Sequence, residues 1–263
     1  MTRKPKSDYA IQTVTNALRL LEVFREVDEI GVADLARLLG LHKNNVFRLL
    51  ATMQEGGFIE QCPETERYRL GVAIHTLGRS FTRGRPLLAR ARPVLERLQQ
   101  ETGETVHLGV RSGFEVVHLL GVAPRREIAT GVRTGRSTPI HCTALGKVLL
   151  GCSPERIWRE FDERVVKRGK LARRTARTIE DADKFFEHLR TVAGVGYAID
   201  LGEYEAGLGC VAAPVHSAHG ALVAALSVST PLYRCDEEAV AGELRRQVVA
   251  AADELSAELG YTA

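Results

Sequence analysis

DLARLLGLHKNNVFRLLATMQEGGFIEQ, residues 34–61, holds the spacing on which the fold reading turns. It begins inside a short apolar-periodic segment, residues 32–39, with Leu35, Leu38 and Leu39 placed inward and Gly40 as a helix stop. Beyond that tight turn, residues 43–54 repeat at helical spacing, and Val46, Leu49, Leu50 and Met53 fall in a sector of roughly 100°, a core face. Gly56 and Gly57 end this helix. Upstream, residues 10–27 carry Ile11, Val14, Leu18 and Leu21 together with Leu20 and Phe24 at spacings of three and four, an amphipathic helix. Downstream, residues 58–61 and 68–70 have β character and flank the polar turn Pro63, Glu64, Thr65, Glu66, Arg67. Three helices followed by a hairpin make a winged helix-turn-helix.

The outer face of the third helix is centred on Asn44, Arg48 and Ala51, flanked by Phe47 and Thr52, with Lys43 and Asn45 near the start. In a major groove, Asn pairs bidentately with adenine and Arg with guanine, and a small residue lets the helix come close. Polar residues on an exposed helix face ordinarily do no more than solvate it. The surrounding assembly favours the reading role: a short helix, a glycine turn, this helix, then a hairpin whose Arg67 and Arg69 are placed for a phosphate or the minor groove. Glu64 and Glu66 weaken the positive field of that hairpin.

Past the hairpin, residues 72–81 are amphipathic and lead into a basic stretch punctuated by Gly and Pro, residues 79–86, read as an inter-domain linker. The expected division is therefore 1–71 for the winged helix, 72–86 for a linker helix and linker, and 87–263 for a second domain. That domain reads as a helix over 87–101, strands over 105–111 and 115–120 around Ser112 and Gly113, and helices over 143–150 and 154–163. A capping box at Thr178-Ile179-Glu180-Asp181 opens a helix to about 192. Apolar runs 209–215 and 222–229 read as central strands, and 236–259 as one long helix. Strands and helices mix irregularly, which predicts an α+β domain with an antiparallel central sheet.

The chain has 263 residues, 44% apolar and 26% charged, ordinary values for a globular protein with a sizeable core. A net charge of +3 permits an anionic partner without requiring one. Arg3, Lys4 and Lys6 have no apolar stretch behind them, and no run approaches the roughly 18 apolar residues of a spanning helix. A cytoplasmic location without membrane association is expected. The five cysteines, Cys62, Cys142, Cys152, Cys210 and Cys235, are scattered without CxxC spacing, so neither a disulfide framework nor a standard zinc site is expected.

Several residues of the second domain suit a small anion. If a helix starts near Thr143, the N–H groups of Ala144, Leu145 and Gly146 lack helical partners, and the helix dipole favours a carboxylate there. Ser227 and Ser229, two apart on an apolar strand, share a face, and Cys210 on the other apolar strand is placed to line the same cavity. Blander readings stand beside these: serines bonded within the sheet, Cys210 as a small buried hydrophobe, Asp200 as a turn former among Gly196, Gly202 and Gly207. An enzyme would pair Cys142 or Cys210 with His141, but adjacent residues rarely face each other and no orienting third residue is identifiable. A metal or thiol sensor would recruit His141, Cys142, Cys152, Cys210, His216, His219 and Cys235, which form no compact ligand set in sequence.

The stretch 34–61, the wing YRLG at 68–71 and the opening TNALRLLEVF at 15–24 resemble the N-terminal domain of the IclR family of bacterial transcription regulators. PIHCTALGK at 139–147, GYAID at 196–200, Glu203 and GLGCVAAPV at 207–215 resemble that family's effector domain in order and spacing. The resemblance implies a GAF-like second domain, a central antiparallel sheet with helices on both sides. Its pocket would be formed by Thr143, Ala144 and Leu145 on one wall and by Asp200, Cys210, Ser227 and Ser229 on the other. It implies a ligand-responsive DNA-binding regulator of a catabolic operon, without catalysis or cofactor, whose effector is a small organic acid, often aromatic or sugar-derived. The expected partners are double-stranded operator DNA, that effector, and further copies of the chain as a dimer or dimer of dimers. A single winged helix contacts too few base pairs for useful specificity.

Overall fold

In this computed structural model, which describes residues 10–125, 130–169 and 171–262, the chain divides after Gly84 into two compact units. Arg3, Lys4 and Lys6 lie outside the described residues.

The first unit runs α1 (Gln12–Val23), α2 (Val32–Leu39), α3 (Lys43–Glu55), β1 (Ile59–Gln61), β2 (Tyr68–Leu70) and α4 (Val72–Arg83). Gly40 closes α2 in the left-handed region, φ 66°, which lets the Leu41 N–H donate to the Ala36 carbonyl and turns the chain sharply into α3. Leu20, Leu35, Val46, Leu50 and Ile59 form its buried centre. The hairpin strands pair antiparallel, with Glu60 opposite Arg69. Tyr68 also exchanges two backbone hydrogen bonds with Ile30, 2.9 and 3.0 Å, tying the hairpin to the segment before α2.

Two expectations about this unit change. Leu38 is 59% exposed, because the buried arc of α2 runs through Leu35, Ala36 and Leu39 and leaves Leu38 beyond its edge. Along α1 and its caps, Leu20 and Phe24 enter the core and Leu21 packs against its edge, whereas Ile11, Val14 and Leu18 stay exposed.

Proline and glycine led residues 79–86 to read as a linker, yet α4 continues to Arg83 and α5 (Pro86–Thr102) begins at once, with proline in the first turn where its fixed φ suits a helix start. Only Gly84 and Arg85 connect the two helices.

The second unit continues with β3 (Thr105–Ser112), β4 (Glu115–Val122), β5 (Ser137–Pro139), α6 (Ala144–Gly151), α7 (Glu155–Arg164), α8 (Ala182–Val195), β6 (Ala198–Leu201), β7 (Leu208–His216), β8 (Leu222–Pro231), α9 (Glu237–Ala239) and α10 (Arg245–Glu258). Among the described residues the strands form one six-stranded antiparallel sheet in the order β5-β4-β3-β8-β7-β6. Alternation along each strand divides the core. Val106, Leu108, Val211, Ala213, Leu226 and Val228 face α5 and α10, while Ala212 and Ala225 face α6 and α8. Both faces are covered, which is why β7 and β8 read as continuous apolar runs.

β5 and β6 had no strand signal of their own, being three and four residues long. The helix expected from Thr178 instead starts at Ala182, with the Asp181 carboxylate accepting from the Lys184 N–H at 2.9 Å. Thr178 is buried, its hydroxyl accepting from the Arg174 and Thr175 N–H groups and donating to the Glu203 carbonyl, so it braces a loop rather than capping a helix. Pro154 is the cap of α7 rather than its first residue. The terminal helix is interrupted by a π-helical turn, Val240–Leu244.

Candidate functional site

Because α3 buries Val46, Leu49 and Leu50, its opposite face presents Lys43, Asn44, Asn45, Phe47, Arg48, Ala51 and Thr52 to solvent. Phe47 is 57% exposed, an apolar ring held in water between polar neighbours. The imidazole of His42 caps the helix by accepting from the Asn44 N–H at 3.4 Å. On the hairpin Arg67 and Arg69 are both exposed, and Arg69 is ion-paired. Its guanidinium lies 2.6 Å from Glu60 and 3.8 Å from Glu29, so cross-strand pairing offsets its charge. The turn places Glu66 in the left-handed region, φ 55°, and the Gln61 side chain donates to its carbonyl at 2.9 Å.

In the second unit, the seven residues Thr143, Ala144, Leu145, Asp200, Cys210, Ser227 and Ser229 line one cavity. Sheet register explains the gathering. Ser229 lies opposite Thr105 and Cys210, and Cys210 opposite Asp200; one row further, His107 lies opposite Ser227. Directly paired residues share a face, so a polar stripe crosses the otherwise apolar face under α6. Cys210 Sγ donates to Ser229 Oγ at 3.2 Å.

α6 covers this stripe with its first turn. Thr143 caps the helix: its hydroxyl accepts from the Gly146 N–H at 3.1 Å and donates to the Pro139 carbonyl at 3.0 Å. Gly146 therefore drops out of the set of outward donors expected there. Ala144 and Leu145, whose N–H groups have no partner within a helix, remain on the cavity wall. Asp200 lines the cavity and also accepts from the Glu203 N–H at 2.6 Å, closing the turn that follows β6. Burial pushes its carboxyl up to about 6.

Five polar wall residues escaped the sequence reading. His107 and His118 come from β3 and β4, and Arg133, Tyr204 and Glu205 from connecting segments. The Arg133 backbone N–H donates to His107 Nε2 at 3.2 Å, while its guanidinium pairs with Glu205 at 2.7 Å and lies 4.9 Å over the Tyr204 ring. Desolvation carries His107 down to about 3 and His118 to about 4, so both imidazoles are neutral near pH 7.

Beneath the cavity, the fully buried Lys147 of α6 pairs with Glu203 and donates to the Ile199 carbonyl at 3.1 Å. His141 and Cys142 form no catalytic couple: His141 Nε2 bonds the Ala172 carbonyl at 3.1 Å, and burial pushes the Cys142 and Cys210 thiols up to about 12, far from a nucleophilic thiolate. Among the described residues no three His, Cys, Asp or Glu side chains come together as a metal site. No helix among them is long and apolar enough to cross a membrane.

Residues 13–63 match the IclR helix-turn-helix domain, and residues 80–257 match the family described as bacterial transcriptional regulator IclR C-terminal. The chain belongs to the IclR family. The HTH-type transcriptional regulator XynR of Escherichia coli is 34% identical over 96% of this chain and 99% of its own length. A crystal structure of an IclR transcriptional regulator from Silicibacter sp. TM1040 superposes with a TM-score of 0.84 at 29% identity, covering 95% of this chain and 97% of that one. An IclR homologue from Microbacterium hydrocarbonoxydans, solved in complex with 4-hydroxybenzoate, has a TM-score of 0.76 at 26% identity, covering 93% and 99%. This IclR-family protein is a DNA-binding transcriptional regulator with an effector-binding C-terminal domain, and it is not an enzyme.

Proposed function

We propose that this regulator controls a catabolic operon and changes its hold on operator DNA when a small organic carboxylate enters the cavity between α6 and the sheet. The observation that carries this reading is that the first turn of α6, the Ser227 and Ser229 hydroxyls and the Arg133 side chain, its guanidinium shared with Glu205, all line one cavity. A helix N-terminus favours negative charge, and hydroxyls and a guanidinium add donors to it. The 4-hydroxybenzoate in a solved relative supports including aromatic acids.

Lys43, Asn44, Asn45, Phe47 and Arg48 meet the major groove in this reading, with Arg67 at the flanking backbone. The protein acts as a homodimer or dimer of dimers on a two-fold-related site, since one such head reads too few base pairs. The acid acts only through its differential affinity for two arrangements of the paired heads.

A thermal-shift screen of the full chain against small carboxylates tests this, because a ligand at about 100 times its Kd adds roughly 2.7 kcal/mol. The double variant Ser229→Ala, Cys210→Leu is expected to bind operator and to lose the response to the acid in fluorescence anisotropy. An undiminished response in that variant moves the pocket elsewhere.

A further inference from the structure

His118 is a polar group of the cavity that the carboxylate reading leaves without a role. It is 5% exposed and lines the wall on β4. Its Nε2 is held at 3.2 Å from the Thr138 hydroxyl. Its Nδ1 is fully buried and meets no hydrogen-bond partner among the described residues. A buried polar atom left in this way costs about 1–3 kcal/mol, so a site that keeps one has a reason to do so. The neighbouring imidazole does not supply the partner: His107 stands edge-on at 5.1 Å between centroids, its own Nε2 occupied by the Arg133 N–H.

Position in the sheet says what the partner is. β4 lies two strands from β8, which bears Ser227 and Ser229, roughly 10 Å between backbones at ordinary strand spacing. The serines thus stand on one side of the cavity and His118 two strands away on the other. Burial holds the His118 imidazole neutral, so a second carboxylate would find no cation in that ring. A hydroxyl, which both donates and accepts, satisfies Nδ1 in either tautomer.

We propose that His118 is a specificity-determining contact, and that the effector is a carboxylate bearing a hydroxyl that hydrogen-bonds His118 Nδ1. This rests on the carboxylate reading of the cavity and adds the second half of the ligand. His107 supports His118 by standing edge-on beside it.

The test measures Kd by calorimetry on the full chain for matched acids: butyrate against 3- and 4-hydroxybutyrate, and benzoate against 3- and 4-hydroxybenzoate. The expected wild-type result is a preference of about tenfold for a hydroxy acid over its parent, since the parent leaves Nδ1 unpaired. His118→Phe collapses the ratio to below about threefold. His118→Asn, whose amide reaches the Nδ1 position, restores it. Should the Phe variant fold poorly, the imidazole ¹⁵N shift of His118 in wild-type protein serves instead, moving with the hydroxy acid and not with its parent.

Acids that bind and weaken in Ser229→Ala, but with a hydroxyl preference absent in wild type or unchanged in His118→Phe, overturn this proposal alone. An unmoved ¹⁵N shift does the same. If no acid binds wild-type protein at all, the carboxylate reading falls and this inference falls with it.

Discussion

Lys147 sits fully buried in the middle of α6, its ammonium donating to Glu203 and to the Ile199 carbonyl. Removing one member of such a pair leaves a buried charge without compensation, so Lys147→Met is expected to cost about 3–5 kcal/mol in urea unfolding. Adding Glu203→Leu to it is expected to return most of that loss, because the desolvated pair disappears together. At the DNA face, Arg48→Ala is expected to weaken specific operator binding by about 1–3 kcal/mol and to relax discrimination at one base pair, and an unchanged footprint would remove Arg48 from the reading set. Cys210, Ser227 and Ser229 stood out as polar or thiol groups on apolar strands, and His107 on β3 carried the same inward-polar signal without being singled out. Arg133, Tyr204 and Glu205 carried none, because connecting segments have no period to break.

At the scale of elements, α6 is fixed by what its glycine permits. A Cβ on Gly146 would lie 2.0 Å from the Ile140 carbonyl oxygen, backbone that cannot yield cheaply. Gly146→Ala is therefore expected to destabilise by about 3 kcal/mol, read as a lowered denaturation midpoint, and to displace the first turn that walls the cavity. The helices α2 and α3 were legible to within a residue because a glycine or cap closes each one locally. Thr178 misled because a capping-box pattern is local, whereas its hydroxyl is taken by the turn around Glu203, 25 residues away. Gly and Pro misled between α4 and α5, where proline opens a helix instead of a loop.

Across the whole molecule, acidity is the broadest lever. Desolvation lowers His107, His118, His141, His188 and His216 below the usual imidazole value. Desolvation raises the Asp200 and Glu203 carboxyls. A histidine depressed in the folded state makes the unfolded chain bind more protons below pH 6.5, so its contribution falls on acidification; a raised carboxyl acts in the opposite sense, favouring the folded state as pH falls. Five histidines oppose two carboxyls, so stability is expected to drop between pH 6.5 and about 4.5, measured as the urea midpoint across that range. A midpoint that rises on acidification would reverse the balance. Local periodicity and turn chemistry in the sequence determined most of the element order, the winged helix, the two apolar faces of β7 and β8, and, through its motifs, the resemblance to the family. Only the tertiary structure decided that Glu60 offsets Arg69, that Lys147 reaches Glu203 across 56 residues, and that His118 and Arg133 join the serines around one cavity. The physical reason is that a repeat of 2 or 3.6 states which way a side chain faces, while its partner is set by strand register and loop closure between segments that share no local signal.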